Sequence, residues 1–413
     1  MKKQNTILYL LSFLGITLCI TTSASAAGRG AFAGDSVGAR ASILGEAFVA
    51  VADDANALRW NPAGLSQLLQ PEMTSSHINF FNMGGYFNYT ENSSAINEDF
   101  IGIAWPNHLA TVGLSFLNLG TPAMLHADER GAVMNAKISY AERSLTFSVG
   151  KQFNIKGITL AAGGNLNRFS ISGNSDNSGF GMDGGLLLET PGIWPEVGLM
   201  LRGLLLETTL GKNGPTIPAK TDIAMAFSPL RFLKLVGGLS KTSGASNLQY
   251  STGLQLDFHW LAPLSLSFLA GYKVLGKLEN GTFESQAESK SVGGSIRISR
   301  YKVDYAYEQH PIIEDTHRVT FGFFQLSPVR FHLNKGRAAF EQLDDTGAIN
   351  ELEEVVYLSP RKAEAYHLMA LTYERMRQKD EALRLLRKIQ SLNRDYFQKH
   401  QLGRLMADIQ EQD

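Results

Sequence analysis

The sequence carries one cysteine, Cys19, so it can build neither an internal disulfide nor a cysteine-rich zinc site. It also lacks an excess of charge. Against 38 basic side chains stand 39 acidic ones, a formal net charge of −1 over 413 residues, which excludes a global field that recruits nucleic acid. Beyond residue 26 there is no run of about 18 apolar residues, so no membrane-spanning helix is expected there and only a barrel of strands could cross a bilayer. The nine histidines show no HExxH spacing, and neither a GxSxG elbow nor a Walker loop occurs. Gly179 to Gly184 matches GxGxxG but runs into Leu186 and Leu188 without a helix, and it reads as a loop entering a strand. The expectation is a protein that is not an enzyme and needs no cofactor or metal.

What is present divides the chain. Residues 1–26 read as an export signal: Lys2 and Lys3, an apolar run from Ile7 to Ile20, and a small-x-small site at Ala24-Ser25-Ala26. Cys19 follows Leu18 where a lipoprotein signal has a small residue, so it is not read as lipidated. Composition then shifts near Pro328. From Lys335 onward 13 basic and 14 acidic residues fall in 79, with only Gly336, Gly347 and Gly403 as glycines, which is helix composition. Between Ala27 and Asn334 lie 36 of the 40 glycines, about 12% of positions against roughly 7% in an average chain.

That glycine-rich part is dominated by period-2 segments. Ile101, Ile103 and Trp105 alternate with Gly102 and Ala104; Leu145, Phe147 and Val149 with Thr146, Ser148 and Gly150; Tyr301, Val303, Tyr305 and Tyr307 with Lys302, Asp304, Ala306 and Glu308. A soluble sandwich or propeller also alternates. The small or polar second face, and aromatics near strand ends (Trp105, Tyr140, Phe153, Trp194, Trp260, Tyr272, Tyr301, Tyr307), favour an all-β transmembrane barrel. Fourteen segments lie between Phe100 and Leu326, with two less clear ones at Met73–Phe80 and Gly84–Thr90, giving 14 to 16 strands. Such a lumen is too wide for its own side chains to fill, so it needs a channel or a plug. Arg168, Arg202, Asp222 and Arg297 are read as lumen charges that either tune passage or pair as filling.

The available plug is Ala27 to Leu68, which contains Gly38-Ala39-Arg40, Gly45-Glu46-Ala47-Phe48-Val49-Ala50, Ala52-Asp53-Asp54-Ala55 and Trp60-Asn61-Pro62-Ala63-Gly64-Leu65. In this order the motifs resemble the N-terminal hatch of the FadL-type long-chain fatty-acid outer-membrane transporters. They are closer still to the related family that includes the PorV and PorQ proteins of type IX secretion. The resemblance implies a 14-stranded barrel at residues 69–327, a hatch at 27–68 in its lumen, and hydrophobic ligands or exported proteins handled at the barrel. Within the hatch, Asp53 and Asp54 read as N-cap and first-turn acid of a short helix Ala55–Trp60, Asn61 as the turn residue, and Pro62 as the stop, with Ala63 and Gly64 completing a shape-fixing or gating motif. No ligand-contacting wall residue can be transferred.

At the carboxyl end a 34-residue period resembles the tetratricopeptide repeat. From Ala363 to Tyr396, Tyr366, Met369, Ala370, Tyr373, Ala382, Leu386, Ile389 and Leu392 fall on its packing positions; one period upstream Gly336, Ala348, Leu352, Val355 and Leu358 do, and Pro360 ends the unit. Residues 397–413 suit a capping helix. Two repeats are fewer than the three usually required, so this unit, 328–413, should lean on its cap, the barrel rim or a partner. The expected setting is the outer membrane of a Gram-negative bacterium, with the tail in the periplasm. The expected partners are membrane lipid, a hydrophobic small molecule, and a periplasmic or secreted protein at the tail.

Overall fold

The computed structural model describes residues 37–80, 96–107, 109–120, 124–127, 133–138, 140–155, 158–173, 176–190, 195–204, 208–211, 216–261, 264–279, 282–309 and 315–411. The export signal, residues 27–36, the segment Gly84–Thr90, Trp194 and His310 lie outside them, as does the side chain of Trp260.

Fourteen antiparallel strands close into a barrel. They are β1 (Glu72–Phe80), β2 (Ile96–Pro106), β3 (Thr111–Gly120), β6 (Ala141–Ile155), β7 (Ile158–Ser172), β8 (Asn177–Glu189), β9 (Glu196–Arg202), β12 (Lys220–Leu230), β13 (Leu233–Thr242), β14 (Asn247–Leu261), β15 (Leu264–Glu279), β16 (Thr282–Ile298), β17 (Tyr301–Gln309) and β18 (Thr316–Phe324). β1 pairs with both β2 and β18, so the sheet has no edge. Two short hairpins, β4 (Met124–Ala127) with β5 (Val133–Ile138) and β10 (Thr208–Thr209) with β11 (Thr216–Ile217), stand apart from the barrel sheet. Met73–Phe80 belongs to the wall, and thirteen barrel strands, one fewer than the segments expected there, lie between Ile96 and Phe324.

Parity decides what each side chain meets. Along β6, Leu145, Phe147 and Val149 are exposed while Ser144, Thr146 and Ser148 are buried. Along β17, Tyr301, Val303 and Tyr305 are exposed while Lys302, Asp304 and Ala306 are buried. This is inside-out for a water-soluble sandwich and right for a barrel in hydrocarbon. From Leu145 to Phe153, at about 3.3 Å per residue and a tilt of roughly 40°, the outward row Leu145, Phe147, Val149, Lys151 and Phe153 covers about 20 Å, with Lys151 its one charge, toward the tail rim. Gly179 to Gly184 turns out to lie within β8 itself. It is wall, not a loop.

Connections on the rim where the hatch exits and the tail begins are all short (107–110, 156–157, 190–195, 231–232, 262–263, 299–300), whereas the three longest intervals between barrel strands, 81–95, 121–140 and 203–219, fall on the opposite side beside four short ones. The helical tail follows β18: α1 (Pro328–Glu341), α2 (Asp345–Leu358), α3 (Ala363–Arg375), α4 (Lys379–Leu392), α5 (Arg394–Lys399) and α6 (Leu402–Glu411). Ser327 caps α1 and Asp344 caps α2 through their side-chain oxygens. Tyr366, Ala370, Ala382 and Leu386 are buried in the tail core, with Tyr373 packed against it.

Candidate functional site

The lumen is filled by the hatch. It folds as a helix at Ala39–Leu44, a 3-10 stretch at Gly45–Ala50, one helical turn at Ala57–Trp60 and a second 3-10 stretch at Pro62–Gln67. Gly38 and Gly45 flank the first helix at φ +84° and +60°, in the left-handed region that costs glycine least. Trp60 is fully buried, meets Phe48 edge to face at 5.8 Å, and donates from Nε1 to the Val37 carbonyl at 2.8 Å. With Ile43, Leu44, Val49, Val51, Leu58 and Leu65 these rings form one buried apolar cluster that reaches wall residues Phe100, Met200, Val236 and Leu269.

The excess of glycine has its explanation here. An added Cβ at Gly271 would lie 1.8 Å from the Ile43 carbonyl oxygen, at Gly198 2.3 Å from that of Val49, at Gly163 2.3 Å from the Pro62 carbonyl carbon, and at Gly238 2.6 Å from the Ala47 nitrogen. All four are inward positions of the wall. Backbone therefore packs on backbone, and hydrogen bonds follow: Ala47 N–H donates to Ser251 Oγ at 3.0 Å, Ala39 N–H to Thr320 Oγ1 at 2.8 Å, and Ser291 Oγ to the Ile43 carbonyl at 3.2 Å. The glycine surplus was the signal in the sequence, but the positions it marks depend on the fold.

Of the motif residues, Asn61 does more than turn the chain. Fully buried, it donates from Nδ2 to the Val49 carbonyl at 2.9 Å and to the Leu186 carbonyl of β8 at 3.1 Å, while its Oδ1 accepts from Ala63 N–H at 3.1 Å. Pro62 opens the 3-10 stretch as well as closing the turn before it, and Gly64 lets that stretch lie against the Ala52 carbonyl, where a Cβ would be 2.0 Å away.

Asp53 departs from the sequence reading, and Asp54 departs from it in part. The helical turn starts at Ala57 behind Asn56, with no side-chain cap. Asp54 Oδ1 still accepts from Asn56 N–H at 2.9 Å at the head of that turn, while its Oδ2 and the Asp53 carboxylate serve ion pairs. Arg40 bonds to Asp53 and stands 3.3 Å from Asp54; Lys302 of β17 is 3.3 Å from Asp54, and Lys234 of β13 is 3.6 Å from Asp53. Arg40 also donates from Nε to Gln255 Oε1 at 2.9 Å. At Asp53 the charge-assisted bonds to Arg40 and Lys234 compete better than a single weak cap does. Arg40, Lys302 and Gln255 are the residues that sequence reasoning missed.

A second set joins Glu46 to Gln249 (2.6 Å) and Lys220 (3.5 Å), and Arg202 to Asp222. Arg202 and Asp222 are thus lumen charges as expected, and Arg297 points inward beside Phe324 at 4.6 Å. Arg168 is not one of them. It shares its parity with exposed Leu166 and lies outside the wall, because Asn165 and Asn167 take the inward positions on β7. Between the hatch, the rim and α1 remains a cavity of about 310 Å³ lined by Arg40, Asp54, Asp257, His259, Arg297 and Phe331 among others. Its lining suits a polar molecule, not an acyl chain.

The tail is latched to this rim. Tyr357 of α2 donates its hydroxyl to the Arg231 carbonyl at 2.7 Å, its ring meets His259 at 4.7 Å, and Arg231 faces Glu354 at 3.7 Å.

No protein-family model matches the sequence, and no curated protein does. Solved structures similar to this chain include the toluene transporter TbuX of Ralstonia pickettii (12% identity, 65% of this chain and 93% of that one, TM-score 0.44) and the CymD monoaromatic hydrocarbon channel (12%, 69% and 96%, 0.44). A Pseudomonas aeruginosa FadL homologue is similar at 12% identity, over 69% of this chain and 97% of that one, with a TM-score of 0.43.

Proposed function

We propose that this protein is an outer-membrane barrel that binds and passes hydrophobic small molecules of the long-chain fatty-acid kind, with the hatch as its gate and the helical tail in the periplasm. The carrying observation is the apolar core of the hatch that fills the lumen. A water-filled porin presents a polar interior, whereas here Ile43, Leu44, Phe48, Val49, Val51, Leu58, Trp60 and Leu65 occupy the centre of the barrel. Uniformly short turns on the tail rim, with the three longest connections on the other, follow the periplasmic and extracellular pattern of such barrels, which supports the orientation.

Magnitude limits how the gate works. Ejecting the hatch would return eight large apolar side chains to water at about 2 kcal/mol each, besides breaking its ion pairs. That is far more than the few kcal/mol separating functional conformers, so opening is a local rearrangement of the hatch against the wall. The test is a lock. Ala47→Cys with Ser251→Cys places two thiols where Ala47 N–H meets Ser251 Oγ. Uptake of labelled fatty acid into proteoliposomes is expected to stop on oxidation and return on reduction; uptake indifferent to the lock removes the hatch from the gating role.

One observation favours a second reading, a secretion or assembly component of the PorV kind. The tail is held against the barrel by Tyr357 and Glu354, which makes it a fixed platform for a periplasmic or secreted protein beside the lumen mouth.

A further inference from the structure

The outward side of β6, β7 and β8 changes character at one level. Reading away from the tail rim, β6 presents Val149, Phe147 and Leu145 and then Arg143; β7 presents Leu166 and then Arg168 and Ser170; β8 presents Met182 and Phe180 and then Ser178. The register makes these steps coincide: Leu145 opposes Arg168, Arg168 opposes Phe180, Arg143 opposes Ser170, and Ser170 opposes Ser178. Arg168 therefore stands among the last apolar side chains, with Leu145 45% and Phe180 71% exposed on either side. Among the described residues it has neither a hydrogen bond nor an ion pair.

A guanidinium at the edge of hydrocarbon extends toward the headgroups and requires an anion there. Arg143 stands one step further out on the adjacent strand, with Nε donating to Asn118 Oδ1 at 3.2 Å, which aims the rest of its fork outward. Diagonal neighbours of this kind bring their Cβ atoms within about 7–8 Å, close enough for two arginines to share one phosphate. Glu142 points into the barrel, and Asp99, two strands away, is occupied by His77 at 2.7 Å.

We propose that Arg143 and Arg168 form a binding site for the phosphorylated headgroup of an outer-leaflet glycolipid, with the Ser170 and Ser178 hydroxyls beside it and the acyl chains along Leu145, Leu166 and Phe180. This rests on the membrane-spanning reading of the barrel and adds a lipid class to it. The experiment uses the full chain in mild detergent with a diphosphorylated acylated glucosamine disaccharide and its dephosphorylated form, with bound lipid read by native mass spectrometry. Wild-type protein is expected to retain the phosphorylated form at least about tenfold better, and the Arg143→Gln/Arg168→Gln variant to lose that preference. Equal retention of both forms by wild-type protein overturns the proposal without needing the variant. So does a variant that keeps the preference. Failure of the membrane reading itself would be distinct: the protein would then not enter phospholipid vesicles at all.

Discussion

Gly238 and Gly237 are neighbours on β13 with opposite surroundings, and the contrast isolates what a wall glycine does. A Cβ at 238 meets the backbone of Ala47 at 2.6 Å; one at 237 meets nothing within 4 Å. Backbone cannot step aside as a side chain end can, so Gly238→Ala is expected to destabilise the hatch by about 1–3 kcal/mol, and Gly237→Ala to change stability by less than about 0.5 kcal/mol. Limited proteolysis of the hatch in the folded barrel reads the difference. Equal resistance of both variants would show that the hatch is not packed on the wall in this way. The sequence marked glycine as unusual but could not say which glycines face inward, since parity only acquires meaning once the strands are paired. Asp53 and Asp54 teach the same lesson. Local rules assign them to a helix terminus, and partners that lie distant in sequence, Lys302 and Lys234, draw them into ion pairs.

Helical period and capping made the tail legible as an element, yet its sensitivity to pH comes from contacts between elements. His367 of α3 is half-buried against Tyr396, whose hydroxyl is 3.2 Å from its Nδ1, and against His400 with ring centroids 5.6 Å apart. Burial and then the charge of His400 lower its pKa, while Glu364 opposes them more weakly. The neutral form is favoured in the folded tail, so its contribution is intact above the ordinary value of about 6.5 and is lost as pH falls through it toward the lower folded value. Amide protection factors of residues 363–411, corrected for the intrinsic pH dependence of exchange, are expected to fall as pH drops below about 6.5, and His367→Gln to flatten that response. An unchanged pH response in the variant would assign the effect elsewhere. Glu351 is lowered too, for a different reason. Burial alone would raise it, but hydrogen bonds from Lys335 and His332 hold it below the usual carboxylate range, so its loss of stability belongs to more acidic conditions.

At the scale of the whole molecule the barrel closes without the tail, since β1 pairs with β18 directly and no described tail residue enters the sheet. Deleting residues 335–413 is therefore expected to leave a barrel that resists detergent until boiled and migrates faster before boiling on a denaturing gel. Fatty-acid uptake surviving the deletion supports the transport reading; loss of secretion alone supports the docking reading. A truncated chain that stays monodisperse in buffer without detergent would end both, because hydrocarbon would no longer be what covers Leu145, Phe147 and Tyr301.

Strand period, small inward residues and the absence of a spanning helix were enough, read along the chain, to specify a membrane barrel with an N-terminal plug and a helical tail, because those patterns are local and repeat. Pairing was needed to settle fourteen strands, to put Arg168 outside and Arg202 inside, and to join Arg40 with Gln255 across 215 residues. The reason is physical: a one-residue shift in register exchanges lipid for lumen, and only the closed ring of hydrogen bonds fixes that register.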